Sequence, residues 1–249
     1  MLQKDEFEGK NILITGAGSG IGRATAILLS DLGANIILLG RTKEKLNATA
    51  KEMKSSKIIE FDVCNFQMYD SLFAQIACKL DGLVHCAGIA FPIPLKVFSE
   101  KNISNVMNTN FISFAMLLKY FSKKKYSNDG ASIVACSSVN AHYPQKCMSI
   151  YEASKYAVEG CVRGIADELY NPRKIRINSM IIGPIATPMA GIDDSSIRIA
   201  DVIGSHSEIT PNLMGMGSPQ YVAMMAAFLL SDMSIYSTGR NFFVDGGRL

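Results

Sequence analysis

Residues 11–22 read Asn-Ile-Leu-Ile-Thr-Gly-Ala-Gly-Ser-Gly-Ile-Gly, an apolar run that breaks into glycines at 16, 18, 20 and 22. Behind it, Ala24, Ile27, Leu28 and Leu32 recur at helical spacing. A strand that turns through glycines into an apolar helix is the opening unit of a parallel α/β sheet. Glycine is needed there because the turn is tight, the helix packs closely on the strand, and the backbone must approach a phosphate. The helix N-terminus adds N–H groups and the positive end of the helix dipole, so Gly16, Ser19, Gly20, Ile21 and Gly22 are candidate contacts for a pyrophosphate.

Outward from this unit the same alternation repeats. Short apolar runs at Asn11–Thr15, Asn35–Leu39, Lys57–Phe61, Gly82–Cys86, Ala131–Cys136, Ile175–Ile181 and Asn241–Val244 read as strands. Helical periodicity occupies Ile21–Leu32, Lys43–Met53, Phe66–Cys78, Glu100–Ser122, Ile150–Leu169 and Pro219–Leu230. Right-handed crossovers then predict an α/β fold of the Rossmann type, a doubly wound seven-stranded parallel sheet flanked by helices. With 249 residues, 48% hydrophobic and 19% charged, the chain is read as a single domain over 1–249. Its cofactor half covers about 10–130, and its catalytic and substrate half about 131–249. Between 183 and 218 stand Pro184, Pro188, Gly191, Gly204, Pro211, Gly215 and Gly217, which predicts a lid over about 189–217.

Composition narrows the partners. Lys plus Arg total 25 against 22 for Asp plus Glu, with no dense basic block, which gives no reason to expect nucleic acid. The six cysteines (Cys64, Cys78, Cys86, Cys136, Cys147 and Cys161) form no Cys-x-x-Cys, and several sit in apolar stretches, as reduced core thiols do. The first eleven residues are charged rather than apolar, and no stretch reaches the roughly 18 to 20 apolar residues of a membrane span, so a cytoplasmic protein is expected. The histidines His85, His142 and His206 lack ligand spacing, so no metal is expected.

In such a sheet ligands gather at the carboxyl ends of the strands. The second strand ends Leu38-Leu39-Gly40-Arg41, where a carboxylate would hold the ribose 2'-hydroxyl of NAD. Arg41 instead suits a 2'-phosphate, so NADP(H) is favoured and NAD(H) is the alternative; a solvated helix start is the bland reading of Arg41.

The loop spacing Thr15-Gly16-x-x-x-Gly20-x-Gly22 resembles the T-G-x-x-x-G-x-G of the short-chain dehydrogenase/reductase family. In that family an Arg directly after the second strand is the NADP-preferring pattern, although its other basic position, inside the loop, is Ser19 here. The resemblance implies that Asp62-Val63 meets the adenine; Asp62 can equally cap the next helix. It also implies that Cys86, Ala87 and Gly88 pass close to the cofactor, where the family usually has N-N-A-G and this chain has His85-Cys86-Ala87-Gly88.

Tyr-x-x-x-Lys occurs twice, at Tyr151/Lys155 and at Tyr120/Lys124. Ser138 lies thirteen residues before Tyr151 at a strand end, whereas Met107 holds that place before Tyr120. Positions i and i+4 share a helix face, so the Lys155 ammonium can serve the Tyr151 phenol. Ser138, Tyr151 and Lys155 match the family's catalytic triad, and the family's Asn maps to Asn110, with Asn108 as a competitor. The resemblance implies hydride transfer between a nicotinamide and a carbonyl or secondary alcohol. Tyr151 is then the proton donor, Ser138 the oxygen's hydrogen-bond partner, Lys155 the holder of the ribose, and Asn110 the site of a backbone kink and a water. Gly183-Pro184-Ile185-Ala186-Thr187 is similar to the family's P-G-x-I-x-T, implying that Ile185 and Thr187 meet the nicotinamide.

The segments 91–98 and 140–148 and the predicted lid contain many apolar residues and no clustered positive charge, which favours, as small-molecule substrate, a moderately apolar ketone or thioester over a sugar phosphate. The resemblance to 3-oxoacyl-ACP reductases adds a 3-oxoacyl thioester, linked to acyl carrier protein, with Arg173 and Lys174 at one docking position and Asp129 where the other is expected. A homotetramer through the helices 100–122 and 150–169 is expected by resemblance alone. Two rival readings remain. A nucleotide-sugar epimerase would have a longer chain and a different loop spacing. A non-catalytic NADP(H) sensor or scaffold would have lost Ser138, Tyr151 or Lys155, and all are present.

Overall fold

The computed structural model describes residues 3–192 and 212–247. Most of the predicted lid, 193–211, therefore lies outside the described residues, as does His206. The elements are β1 (Asn11–Thr15), α1 (Gly20–Asp31), β2 (Asn35–Gly40), α2 (Lys43–Ala50), β3 (Ser56–Glu60), α3 (Tyr69–Ile76), β4 (Leu80–His85), α4 (Glu100–Met107), α5 (Ser113–Phe121), β5 (Ser127–Ser138), α6 (Ser149–Arg173), β6 (Arg176–Ile182), α7 (Pro219–Leu230) and β7 (Arg240–Val244). The strands form one seven-stranded sheet in the order β3-β2-β1-β4-β5-β6-β7. All neighbours pair in parallel. The order reverses between β1 and β4, which opens a crevice at their carboxyl ends.

Alternation along the strands builds a core on each face of the sheet. Leu13, Leu39, Leu83, Ile133 and Ile177 face α3, α5 and α6, meeting Leu72, Phe114, Leu117 and Val158. Ile12, Ile14, Leu38, Val84 and Val134 face the other way, toward Ala26 and Leu29 of α1 and Val222 and Ala226 of α7. Both faces are covered, which is why these strands read as near-continuous apolar runs.

Element ends differ from the sequence reading by a few residues, and three differences have causes that matter. The helix expected over 100–122 is α4 and α5 joined by a π-turn at Asn108–Ile112. The helix expected over 66–78 starts as a 3-10 turn at Phe66–Met68 and stops at Ile76, where Ala77 takes a left-handed φ of 57°. Strand β5 runs two residues past Cys136 and so delivers Ser138 at its tip. Among the described residues, no helix is long and apolar enough to cross a membrane.

Candidate active site

The glycine turn is shaped by what lies against it. Gly16 has φ +68°, and a Cβ there would lie 2.9 Å from both the Ala87 nitrogen and the Cys86 carbonyl carbon. A Cβ on Gly22 would collide with the Gly16 carbonyl oxygen, so α1 sits directly on the turn. The Thr15 hydroxyl accepts the Ala87 N–H at 3.1 Å and pairs with His85 Nδ1 at 3.0 Å, tying the ends of β1 and β4 together. Ser19 is the N-cap of α1 but makes no side-chain cap bond.

This turn forms one wall of a cleft whose far end carries Arg41 and Lys45, both exposed. Lys45 lies in the first turn of α2, and a Cβ on Gly18 would be 2.9 Å from its Cβ. A second cation thus stands beside the loop, at a position the sequence reading passed over; its i+4 spacing from Arg41 was the available signal. Asp62 and Val63 line the same cleft. The Asp62 carboxylate accepts the Cys64 N–H at 2.9 Å, as a turn-capping acid does.

A second cleft holds Ser138, Tyr151 and Lys155, all buried. It shares Ile21, Cys86, Gly88, Thr187 and Met189 with the first, so one groove runs from Arg41 to Tyr151. Lys155 follows Tyr151 by one turn of α6; its Nζ donates to the Cys136 carbonyl at 2.9 Å and lies 5.7 Å from the centre of the Tyr151 ring. The Ser138 hydroxyl accepts the Asn140 N–H at 3.2 Å. Ile185 and Thr187 complete the wall.

Asn110 is fully buried in the π-turn. Its Oδ1 accepts the Ile89 N–H at 2.8 Å, and its Nδ2 donates to the Ile89 carbonyl at 3.0 Å and to the Ser154 hydroxyl at 2.9 Å. A Cβ on Gly88 would lie 3.4 Å from both Asn110 Oδ1 and Lys155 Nζ, so the two side chains meet beneath that glycine. The other Tyr-x-x-x-Lys pair is elsewhere: Tyr120 packs in the core, with its ring 5.0 Å from that of Phe73.

Behind the groove lies a polar cluster that the sequence reading missed. Glu159 is fully buried and accepts Ser137 Oγ at 2.5 Å, with His142 Nε2 at 2.9 Å and Asn241 Nδ2 at 3.4 Å. On the same face of the sheet His85 stacks on Phe114 at 5.1 Å, its Nε2 buried without a hydrogen-bond partner. Burial first, and then the nearby Lys155 charge, push its pKa down to about 3, so the ring is neutral.

Arg173 corrects the sequence reading. Expected at the mouth of the site, it is buried at the opposite end of the sheet, where it donates to Asp129 at 2.8 Å and to the Ser127 hydroxyl and carbonyl at the start of β5. Asp129 holds it there, and it presents no docking charge.

Residues 16–248 match the family model described as enoyl-(acyl carrier protein) reductase. The chain belongs to the short-chain dehydrogenase/reductase family. A 3-oxoacyl-[acyl-carrier-protein] reductase, FabG, of Thermotoga maritima is 34% identical over 97% of this chain and 98% of its own length. A glucose 1-dehydrogenase of Gluconobacter oxydans is 31% identical over 98% of this chain and 93% of its own. Among solved structures, BdcA in complex with NADPH superposes with a TM-score of 0.84 at 27% identity, covering 98% of this chain and 96% of that one. Within this family the chain is a nicotinamide-dependent oxidoreductase of CH–OH and C=O groups.

The groove fits such a cofactor on its own terms. Glycines stand where a Cβ would strike backbone, a helix N-terminus points at the turn, and cations stand where the adenosine end would lie.

Proposed function

We propose that this chain interconverts a carbonyl and a secondary alcohol with NADP(H) in preference to NAD(H). The observation that carries the reading is the continuous groove, with Arg41 and Lys45 at one end and Ser138, Tyr151 and Lys155 at the other. When bound, the dihydronicotinamide supplies the hydride. Tyr151 gives its phenolic proton to the substrate oxygen, and the Ser138 hydroxyl donates a hydrogen bond to that oxygen as negative charge develops on it. Lys155 is the only ammonium lining the inner cleft among the described residues; it favours the phenolate left on Tyr151 and offers its remaining hydrogens to the nicotinamide ribose. Asn110 fixes the π-turn through Ile89 and keeps it open beside Lys155 for a water that resupplies the proton. The loop Gly16, Ser19, Gly20, Ile21 and Gly22 seats the pyrophosphate. Asp62 and Val63 meet the adenine, Cys86 to Gly88 the adenosine side, and Ile185 and Thr187 the nicotinamide.

Phe91, Pro92, Val139, Met148 and Met216 line the inner cleft, which supports an apolar substrate. The carrier-protein reductases among the relatives support a 3-oxoacyl thioester, on acyl carrier protein, as its form. We infer one domain over the whole chain, a cytoplasmic protein, and a homotetramer formed through α4, α5 and α6.

The test is oxidation of NADPH and NADH by the purified protein against ketones, diketones, steroids, sugars and 3-oxoacyl thioesters, with cofactor binding followed by fluorescence. Turnover that prefers NADPH is expected. Tight binding with no turnover on any class would overturn the hydride-transfer reading in favour of a sensor.

A further inference from the structure

Two thiols face each other at the carboxyl edge of the sheet. Strands β4 and β5 are in register at His85 and Ala135, so the next residue of each, Cys86 and Cys136, stand opposite. Their Sγ atoms are 3.4 Å apart and share an S–H hydrogen bond. Both line the cleft that holds Ser138, Tyr151 and Lys155, and Cys86 also lines the glycine-loop cleft. Neither thiol has a part in the hydride or proton transfer. Adjacent strands lie about 4.8 Å apart, inside the roughly 4.4 to 6.8 Å between α-carbons that a disulfide spans.

We propose that Cys86 and Cys136 are a redox modification site, a dithiol that a peroxide entering the cleft converts to a disulfide, unseating the cofactor until a dithiol reductant restores it. The hydrogen bond with Cys86, aided by the Lys155 charge, lowers the Cys136 thiol against the opposing effect of burial, while Cys86 is held high. The step balances identically whichever thiol attacks first, here Cys136. Its sulfur attacks one peroxide oxygen; an S–O bond forms, the O–O bond breaks, and one water leaves. Cys86 sulfur then attacks the Cys136 sulfenic acid; the S–S bond forms, the S–O bond breaks, and a second water leaves. The two thiols lose two electrons and two protons, and the peroxide is reduced to two waters.

The local packing turns this bond into a change at the site. A disulfide needs a sulfur separation of about 2.05 Å, well inside the present 3.4 Å. The Cys86 carbonyl carbon lies close beside Gly16, 2.9 Å from where a Cβ would stand. The Cys136 carbonyl accepts Lys155 Nζ at 2.9 Å. Drawing the two residues together moves the floor of the glycine loop and the anchor of Lys155 at once. The effect on turnover rests on the oxidoreductase reading above; formation of the disulfide and its effect on cofactor binding do not.

The experiment treats the reduced full-length protein with hydrogen peroxide, with and without saturating NADP+, then blocks free thiols and maps the peptides by mass spectrometry. NADPH binding is followed by fluorescence in parallel. A Cys86–Cys136 cross-link short of two hydrogens is expected, forming more slowly under NADP+. NADPH binding should weaken at least tenfold and recover with dithiothreitol. In Cys136→Ser, compared before and after peroxide, binding should not change. Recovery of Cys86 and Cys136 as free thiols after treatment that oxidises other cysteines would overturn the site. A cross-link that leaves binding unchanged would overturn its control of the cofactor. Because the cross-link is read without any substrate, this result separates from failure to find turnover.

Discussion

Ser137 donates its hydroxyl to the fully buried Glu159 at 2.5 Å, and this places the residue before Ser138 and the residue one turn after Lys155 in a single hydrogen-bonded unit. The Ser137 hydroxyl is also 3.4 Å from the Lys155 carbonyl, so the tip of β5 and the start of α6 are tied at this point. His142 and Asn241 complete the ring of donors around the carboxylate. Glu159→Ala removes the acceptor and leaves buried donors unmet. We expect a loss of about 3 kcal/mol in urea unfolding, from unsatisfied donors and the lost bonds to a charged group. Glu159→Gln, which keeps an acceptor, should recover more than half of it. A Glu159→Ala protein within about 0.5 kcal/mol of wild type, the range of an ordinary surface change, would show that the cluster does not brace the site.

Tyr151→Phe tests the proton donor. The ring of Tyr151 is buried and its packing is unchanged by loss of the hydroxyl, so cofactor binding should stay within about twofold while turnover falls by about a hundredfold or more, the scale of general acid catalysis. Wild-type turnover in the variant would remove Tyr151 from the mechanism. Equal losses of turnover and cofactor affinity would make it a binding residue instead.

What could be read from the sequence was local. The glycine loop declares itself because its strand, turn and helix are contiguous, and the Tyr151 pair was separable from the Tyr120 pair because only one had a hydroxyl at a strand end. The kink at Asn110 followed from the family resemblance alone; its form as a π-turn rests on hydrogen bonds to Ile89, which no local pattern reveals. Glu159 was passed over and Arg173 was misplaced for the same reason. A charged residue on a helix reads as solvent-facing, and only the tertiary fold shows Glu159 inside a ring of donors and Arg173 pinned by Asp129 and Ser127. Cys86 was read as a cofactor neighbour, but that Cys136 faces it follows from strand register, which no spacing reveals.

Arg41 and Lys45 make the cofactor preference measurable. Both are exposed, so the proposed pair of each with a 2'-phosphate would be screened by solvent and modest in strength. Arg41→Ala should weaken NADPH by about tenfold and leave NADH nearly unchanged, as expected for one charge-assisted contact. Lys45→Ala should act in the same direction by a smaller factor, and the double variant should bind the two cofactors alike. Salt should narrow the wild-type preference. Parallel losses for NADPH and NADH in titrations of Arg41→Ala would rule out the phosphate contact.

His85 gives the fold a specific acid sensitivity. Its pKa of about 3 in the fold lies below the ordinary histidine value, so the folded ring stays neutral where the unfolded ring takes a proton. A group with a depressed folded pKa favours the unfolded state as pH falls. The cost begins near the ordinary value of about 6.5, grows by nearly 1.4 kcal/mol for each pH unit, and stops growing only near the folded pKa. His85→Asn removes that titration; it also removes the stack on Phe114, which lowers stability by the same amount at every pH and leaves the slope untouched. Between pH 6 and pH 5 the wild type should therefore lose about 1 kcal/mol more than His85→Asn in urea unfolding. Parallel pH profiles for the two proteins would mean that the ring takes up its proton in the folded state as readily as in the unfolded one, and that His85 is not held neutral between Thr15 and Phe114.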